Sequence, residues 1–160
     1  MTRSYFSFAT AVFLAAGSFT QAGAVTEFHG GGVVGNYSGC EAYGYLPTDG
    51  SALVGRYRPG GLPGNSPTND TISLSYNTYA FHLTIPSGWS YGTPVQVTWF
   101  AVVGGGGDAW VPNNVMTVTF QPPPAFTEAD SADRFLNFQI DNMDDLAGCS
   151  AVFSVFLHQI

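Results

Sequence analysis

From Asp70 to Tyr76 the chain alternates: Ile72, Leu74 and Tyr76 fall on one side of an extended backbone, with Thr71, Ser73 and Ser75 on the other. That period of two is what a half-buried β-strand requires. The next run, YAFHLTI, repeats it with Tyr79, Phe81, Leu83 and Ile85 opposite His82. PVQVTWFAVV sets Val95, Val97, Trp99 and Ala101 together, while its other face ends apolar at Phe100 and Val102, a pattern that predicts burial on both sides at the far end. NVMTVTFQ aligns Met116, Val118 and Phe120; RFLNFQI aligns Leu136, Phe138 and Ile140; the last run, CSAVFSVFLH, aligns Phe153, Val155 and Leu157. CEAYGYL and SALVGRYR are weaker strand candidates, interrupted by Gly44 and Gly55. The Gly-rich stretch before them, VTEFHGGGVVGNY, reads as a frayed lead-in.

The connections carry turn residues. RPGGLPGNSPTN is a long Gly/Pro/Asn loop, GGGGD a flexible turn, and QPPPAFTEADSAD a Pro-rich segment. Within the last, Thr127-Glu128-Ala129-Asp130 is a weak capping-box pattern for one short helix. Short strands with such turns and no long helical period predict an all-β chain: a single antiparallel two-sheet sandwich of Ig-like or jelly-roll type, with about eight strands. No internal repeat or composition break divides it.

The opening residues change the boundaries. Arg3, the apolar run from Tyr5 to Ala16 and the small-x-small triplet Ala22-Gly23-Ala24 have the three parts of a secretory signal. Gly17, Thr20 and Gln21 break the run well short of the ~20 apolar residues of a membrane span. Residues 1–24 are therefore expected to be removed, leaving a β-sandwich domain over 25–160, secreted or periplasmic, with no membrane insertion. The remaining chain has three arginines, no lysine and eleven carboxylates, a net charge of −8. Such a chain repels polyphosphates and anionic lipid, so nucleic acid and membrane surfaces are not expected partners. Without lysine there is no Schiff-base chemistry and no Lys–Asn crosslink. The two cysteines, Cys40 and Cys149, predict one disulfide in an exported protein; a metal thiolate pair would lack the CxxC spacing.

Two short stretches imitate an esterase. GWSYG, with Ser90 at its centre, matches the nucleophile-elbow pattern, and His29-Gly30-Gly31-Gly32 resembles an oxyanion loop. The elbow needs a helix after the serine, yet Thr93-Pro94 leads into another alternating run. His158 is the only histidine after Ser90, and it sits in a predicted strand. Both matches are read as coincidental, and no enzyme is expected; hydrolysis at Ser90 is a distant third reading.

Metal sites are weaker still. His29, His82 and His158 have no ligand spacing for zinc, and only His82 and His158 are expected to share a polar sheet face. Calcium has the right ligand type in two acidic turns: Glu128, Asp130 and Asp133 in one, Asp141, Asp144 and Asp145 in the other. Neither run has the spacing of a known calcium loop, and Asp and Asn favour turns for backbone reasons alone. No cofactor is expected beyond this possible calcium.

The aromatics say most about function. Trp89, Tyr91 and Trp110 lie in or beside turns, and Tyr43 and Tyr45 flank Gly44. Exposed rings of this kind stack on a sugar or bury in a protein partner; buried, they would cap the ends of the sandwich. The first reading is a secreted, non-catalytic recognition domain that binds a glycan or an extracellular protein through these rings. The alternative is a self-assembling structural subunit of a filament, matrix or surface layer. It would use the N-terminal arm as a strand added to a neighbour's sheet, or the apolar C-terminal strand.

Overall fold

The computed structural model describes residues 24–44, 50–62, 64–76, 79–103, 107–109, 116–123, 132–143 and 146–160; for Tyr43, Tyr79, 100–103 and 107–109 only the backbone is described. The strands are β1 (Phe28–Ser38), β2 (Ser51–Arg58), β3 (Asn69–Tyr76), β4 (Tyr79–Pro86), β5 (Val95–Gln96), β6 (Thr98–Val103), β7 (Gly107–Ala109), β8 (Thr117–Gln121), β9 (Asp133–Asp141) and β10 (Ser150–Gln159). The weak strand expected in CEAYGYL is instead a single 3-10 turn over Glu41–Tyr43, ended by Gly44 at φ 92°. Only glycine adopts that left-handed conformation freely. Residues 1–23 of the expected signal segment (1–24), the short helix expected at 127–130, and Tyr45, Trp110, Glu128, Asp130, Asp144 and Asp145 lie outside the described residues.

All pairings are antiparallel, in the order β5-β8-β9-β10-β1-β2-β3-β4-β6-β7. β5 stands at one end of this order and β6 next to the other, yet the two are separated in sequence by Val97 alone. The segment Val95–Val103 therefore pairs with β8 on one side and β4 on the other, drawing the sheet into a nearly closed barrel. Counting β5 and β6 as one interrupted strand gives nine. The sandwich of two sheets and about eight strands is not confirmed. Alternation records which side of each strand is buried, and a curled sheet and two stacked sheets bury one side equally well.

The inward positions of every long strand meet in one core. Phe81, Phe120, Phe138, Phe153 and Trp99 are all buried there, with Leu83, Ile85, Val118, Ile140 and Val155. Phe138 stacks on Phe153 at 5.4 Å, and Phe120 leans on Phe138 at 5.3 Å, offset and tilted arrangements that aromatic rings favour. Each fully buried large side chain contributes roughly 1.5–3 kcal/mol.

The Gly-rich lead-in is not frayed: it is β1, eleven residues long and bonded to β10 on one edge and β2 on the other. A Cβ on Gly30 or Gly32 would run into the backbone carbonyl of Phe156 or Ser154, so only glycine permits so close an approach of β1 to β10. Cys40 and Cys149 form the expected disulfide, with Cα atoms 4.5 Å apart. It fastens the chain just after β1 to the chain just before β10 and closes a loop across 109 positions. The loop-entropy account gives such a crosslink roughly 4–5 kcal/mol. A disulfide of this kind fits an extracellular or periplasmic location.

Candidate binding surfaces

One end of the barrel is closed by the β4–β5 connection. Asp70, the first inward side chain of β3, is buried and accepts three hydrogen bonds: from Tyr57 Oη (2.9 Å), Gly60 N (2.6 Å) and Trp89 Nε1 (2.7 Å). A buried carboxylate needs such saturation. Burial, then the adjacent Asp70 charge and hydrogen bond, push the Tyr57 hydroxyl well above its ordinary range, so it stays neutral and donates. Trp89 stacks on Phe120 with centroids 4.0 Å apart, and Tyr91 meets Trp89 edge-on at 5.4 Å. Trp89 is half-buried, whereas Tyr91 is 49% exposed. Beside them, the Arg134 guanidinium lies 4.7 Å from the centroid of the Phe28 ring.

The second surface is the outer face of β2, β3 and β4. Arg56 and Arg58 stand two apart on β2 and so project to the same side. Both reach Glu27, just before β1: Arg56 through Nε to Oε1 and through NH2 to Oε2 (3.0 Å), Arg58 through Nε to Oε1 (2.8 Å). His29 Nε2 approaches Oε2 at 3.4 Å. Burial would raise the Glu27 carboxyl, but the hydrogen bonds from Arg56, Arg58 and His29 outweigh it and hold it at about 2. Arg56, Arg58, Thr71, Ser73 and His82 line a small pocket, and Ser73 Oγ shares a 2.9 Å hydrogen bond with His82 Nδ1. Burial, then the charges of Arg58 and Arg56, lower the affinity of His82 for a proton. A second pocket, lined by Val25, Arg58, Gly64, Asn65, Ser66, Asn69 and Thr71, shares Arg58 and Thr71 with the first.

The ring positions expected from sequence are only partly brought together. Trp89 and Tyr91 touch. Tyr43 lies in the turn after β1, at the end where β4 begins, whereas Trp89 and Tyr91 follow the end of β4. GWSYG forms a strand-to-strand connection, with Thr93 N bonded to Ser90 O (3.2 Å) and Gly92 N to Phe120 O (2.8 Å). The Ser90 hydroxyl donates to Thr93 Oγ1 (3.1 Å), and among the described residues no histidine is recorded as its hydrogen-bond partner.

The three histidines share one outward cross-strand row, His158–His29–Arg56–Ser73–His82, a wider grouping than the expected pair His82 and His158. His82 is three strand steps from His29, roughly 14 Å, too far for both to ligate one metal ion. Of the acidic positions, Asp133 binds His158 Nδ1 (2.8 Å) and Asp141 accepts from Gln139 (2.6 Å), at opposite ends of β9. Among the described residues no group of three or more His, Cys, Asp or Glu is placed to hold a metal ion.

Comparison with known proteins finds no matching family model, curated protein or solved structure. Sequence reasoning passed over Glu27, Asp70, Arg56 and Arg58. The signals were present: Asp70 has the same parity as Ile72 and Leu74, which marks an inward carboxylate, and RYR places two of the three arginines after residue 24 on one strand face.

Proposed function

We propose that the chain is an exported, non-catalytic recognition domain that binds a glycan or an extracellular protein at loop aromatics on a rigid barrel. One observation carries this reading: Tyr91 is half exposed while the ring behind it, Trp89, is fixed by both Asp70 and Phe120. A ring held before its ligand arrives loses little entropy on binding, which favours affinity. Trp110 and Tyr45 are further ring positions of this reading, and Tyr43, at the end where β4 begins, would make a separate contact. The test is a glycan array probed with wild type and Tyr91→Ala. Tyr91→Ala loses binding with an unchanged melting temperature; binding retained in full by the variant removes Tyr91 from the site.

A second reading, a subunit of an extracellular assembly, has one observation in its favour. Val33, Val54 and Phe156 are 55%, 67% and 47% exposed on the outer face, with Val54 and Phe156 on either side of Gly31. β1 and β10 are already paired along both edges, so association would use this face in place of strand addition. Light scattering decides it: polymers dispersed by Val54→Lys support assembly, and a monomer opposes it.

A further inference from the structure

Positive charge is scarce in this molecule: after residue 24 there are three arginines against eleven carboxylates. Two of the three nevertheless stand side by side on one outer face, both half exposed and both tied to the same buried carboxylate. Glu27 neutralises one of the two, so the cluster keeps one net positive charge. It also restrains the long side chains, which would otherwise lose rotamer freedom when a ligand arrives. Arg58 engages Glu27 through Nε alone, so among the described residues its two terminal nitrogens donate to no carboxylate.

Apart from Glu27 and the apolar Val25, the pocket walls beside these guanidiniums are polar and uncharged. The pocket on one side offers the hydroxyls of Thr71 and Ser73 with His82, and the adjoining pocket offers Asn65, Ser66 and Asn69. Arg58 and Thr71 are common to both, so the two form one furrow with the positive charge at its middle. Asn65 is fixed in that furrow by two hydrogen bonds from Nδ2, to Thr26 O (2.8 Å) and Pro59 O (2.7 Å), and its buried Oδ1 has no partner among the described residues. A planar guanidinium matches an oxyanion, and flanking hydroxyls and amides match the hydroxyls of a sugar.

We propose that the outer furrow over β2, β3 and β4 binds a single oxyanion carried on a sugar, a uronate carboxylate or a sulfate ester, through Arg58 and Arg56 beside Thr71 and Ser73. The sugar part rests on the glycan-binding reading above; the anion site rests on the furrow itself. The ligand carries isolated charges. A chain of net charge −7 repels a polyanion over its whole surface, whereas one anion in the furrow meets the local positive charge within a Debye length of about 8 Å.

The test is an amide-shift NMR titration with glucuronate, glucose sulfate and glucose, using wild type, Arg58→Gln and Thr71→Val. The expected result is saturable shifts at Arg56, Arg58, Thr71, Ser73 and His82 with an anionic sugar and not with glucose. A response to sulfate alone or to glucuronate alone identifies which oxyanion the furrow takes. Loss of a charge-assisted hydrogen bond in Arg58→Gln weakens binding by roughly tenfold or more. Thr71→Val leaves the Glu27 cluster intact and weakens binding severalfold, so the site remains testable if Arg58→Gln fails to fold. No saturable shift from either anion, an equal response to glucose, or full affinity in folded Arg58→Gln overturns the proposal. Glucose shifts confined to the surroundings of Tyr91, without an anion response, overturn the furrow and leave the recognition reading standing.

Discussion

Trp89 Nε1 donates a 2.7 Å hydrogen bond to Asp70 Oδ2, so the β4–β5 connection is fastened to the first inward side chain of β3. The bond joins a loop ring to the barrel wall, and it explains why a tryptophan in a turn is only half exposed.

That contact gives Trp89 a different energetic role from Trp99. Trp99 is 1% exposed in the core, yet among the described residues its Nε1 has no hydrogen-bond partner. In Trp99→Phe the lost packing is offset by removal of a buried unpaired donor, which costs about 1–3 kcal/mol while it is present. In Trp89→Phe a bond to a charged acceptor is lost, worth about 1.5–3 kcal/mol. Chemical denaturation should therefore find Trp89→Phe the more destabilised variant although Trp99 is the more buried residue. The reverse order would mean that packing volume alone governs both sites.

Gly55 faces inward on β2, where a Cβ would stand 2.6 Å from Val155 Cγ1. Gly55→Ala overpacks this contact and is expected to cost about 1–3 kcal/mol. Val155→Ala opens the same space, so the double variant should be more stable than the two single losses predict. A double-mutant cycle measures the coupling, and strict additivity would place the strain elsewhere.

Glu27 makes stability depend on acid. Its carboxyl lies at about 2 in the folded chain against an ordinary 4.5, because the Arg56, Arg58 and His29 bonds outweigh burial. A depressed carboxylate contributes stability that is complete above about 4.5 and is lost as pH falls through about 2. Glu27→Gln should therefore lower the melting temperature most near neutral pH, and the gap to wild type should close between pH 4.5 and 2. Thermal melts across that range give the answer; a constant gap would assign the loss to packing.

Most of the long strands, their buried faces and the crosslink were legible in the chain, but β1 was not, because its run of glycines carries no alternating side chains to mark a face. Ile72, Leu74 and Tyr76, or Leu136, Phe138 and Ile140, declare their face because side chains alternate along any extended chain, whatever it pairs with. Cys40 and Cys149 left one pairing available. That Val95–Val103 pairs on both sides and draws the sheet into a nearly closed barrel emerged from tertiary packing. Register between strands distant in sequence depends on packing that no local pattern records. The same holds for the sites. The loop rings were legible, but Asp70 behind Trp89 was not, nor was the meeting of Glu27 with Arg56 and Arg58. A hydrogen bond across nineteen positions, or an ion cluster across twenty-nine, exists only once folding has brought distant strand ends together.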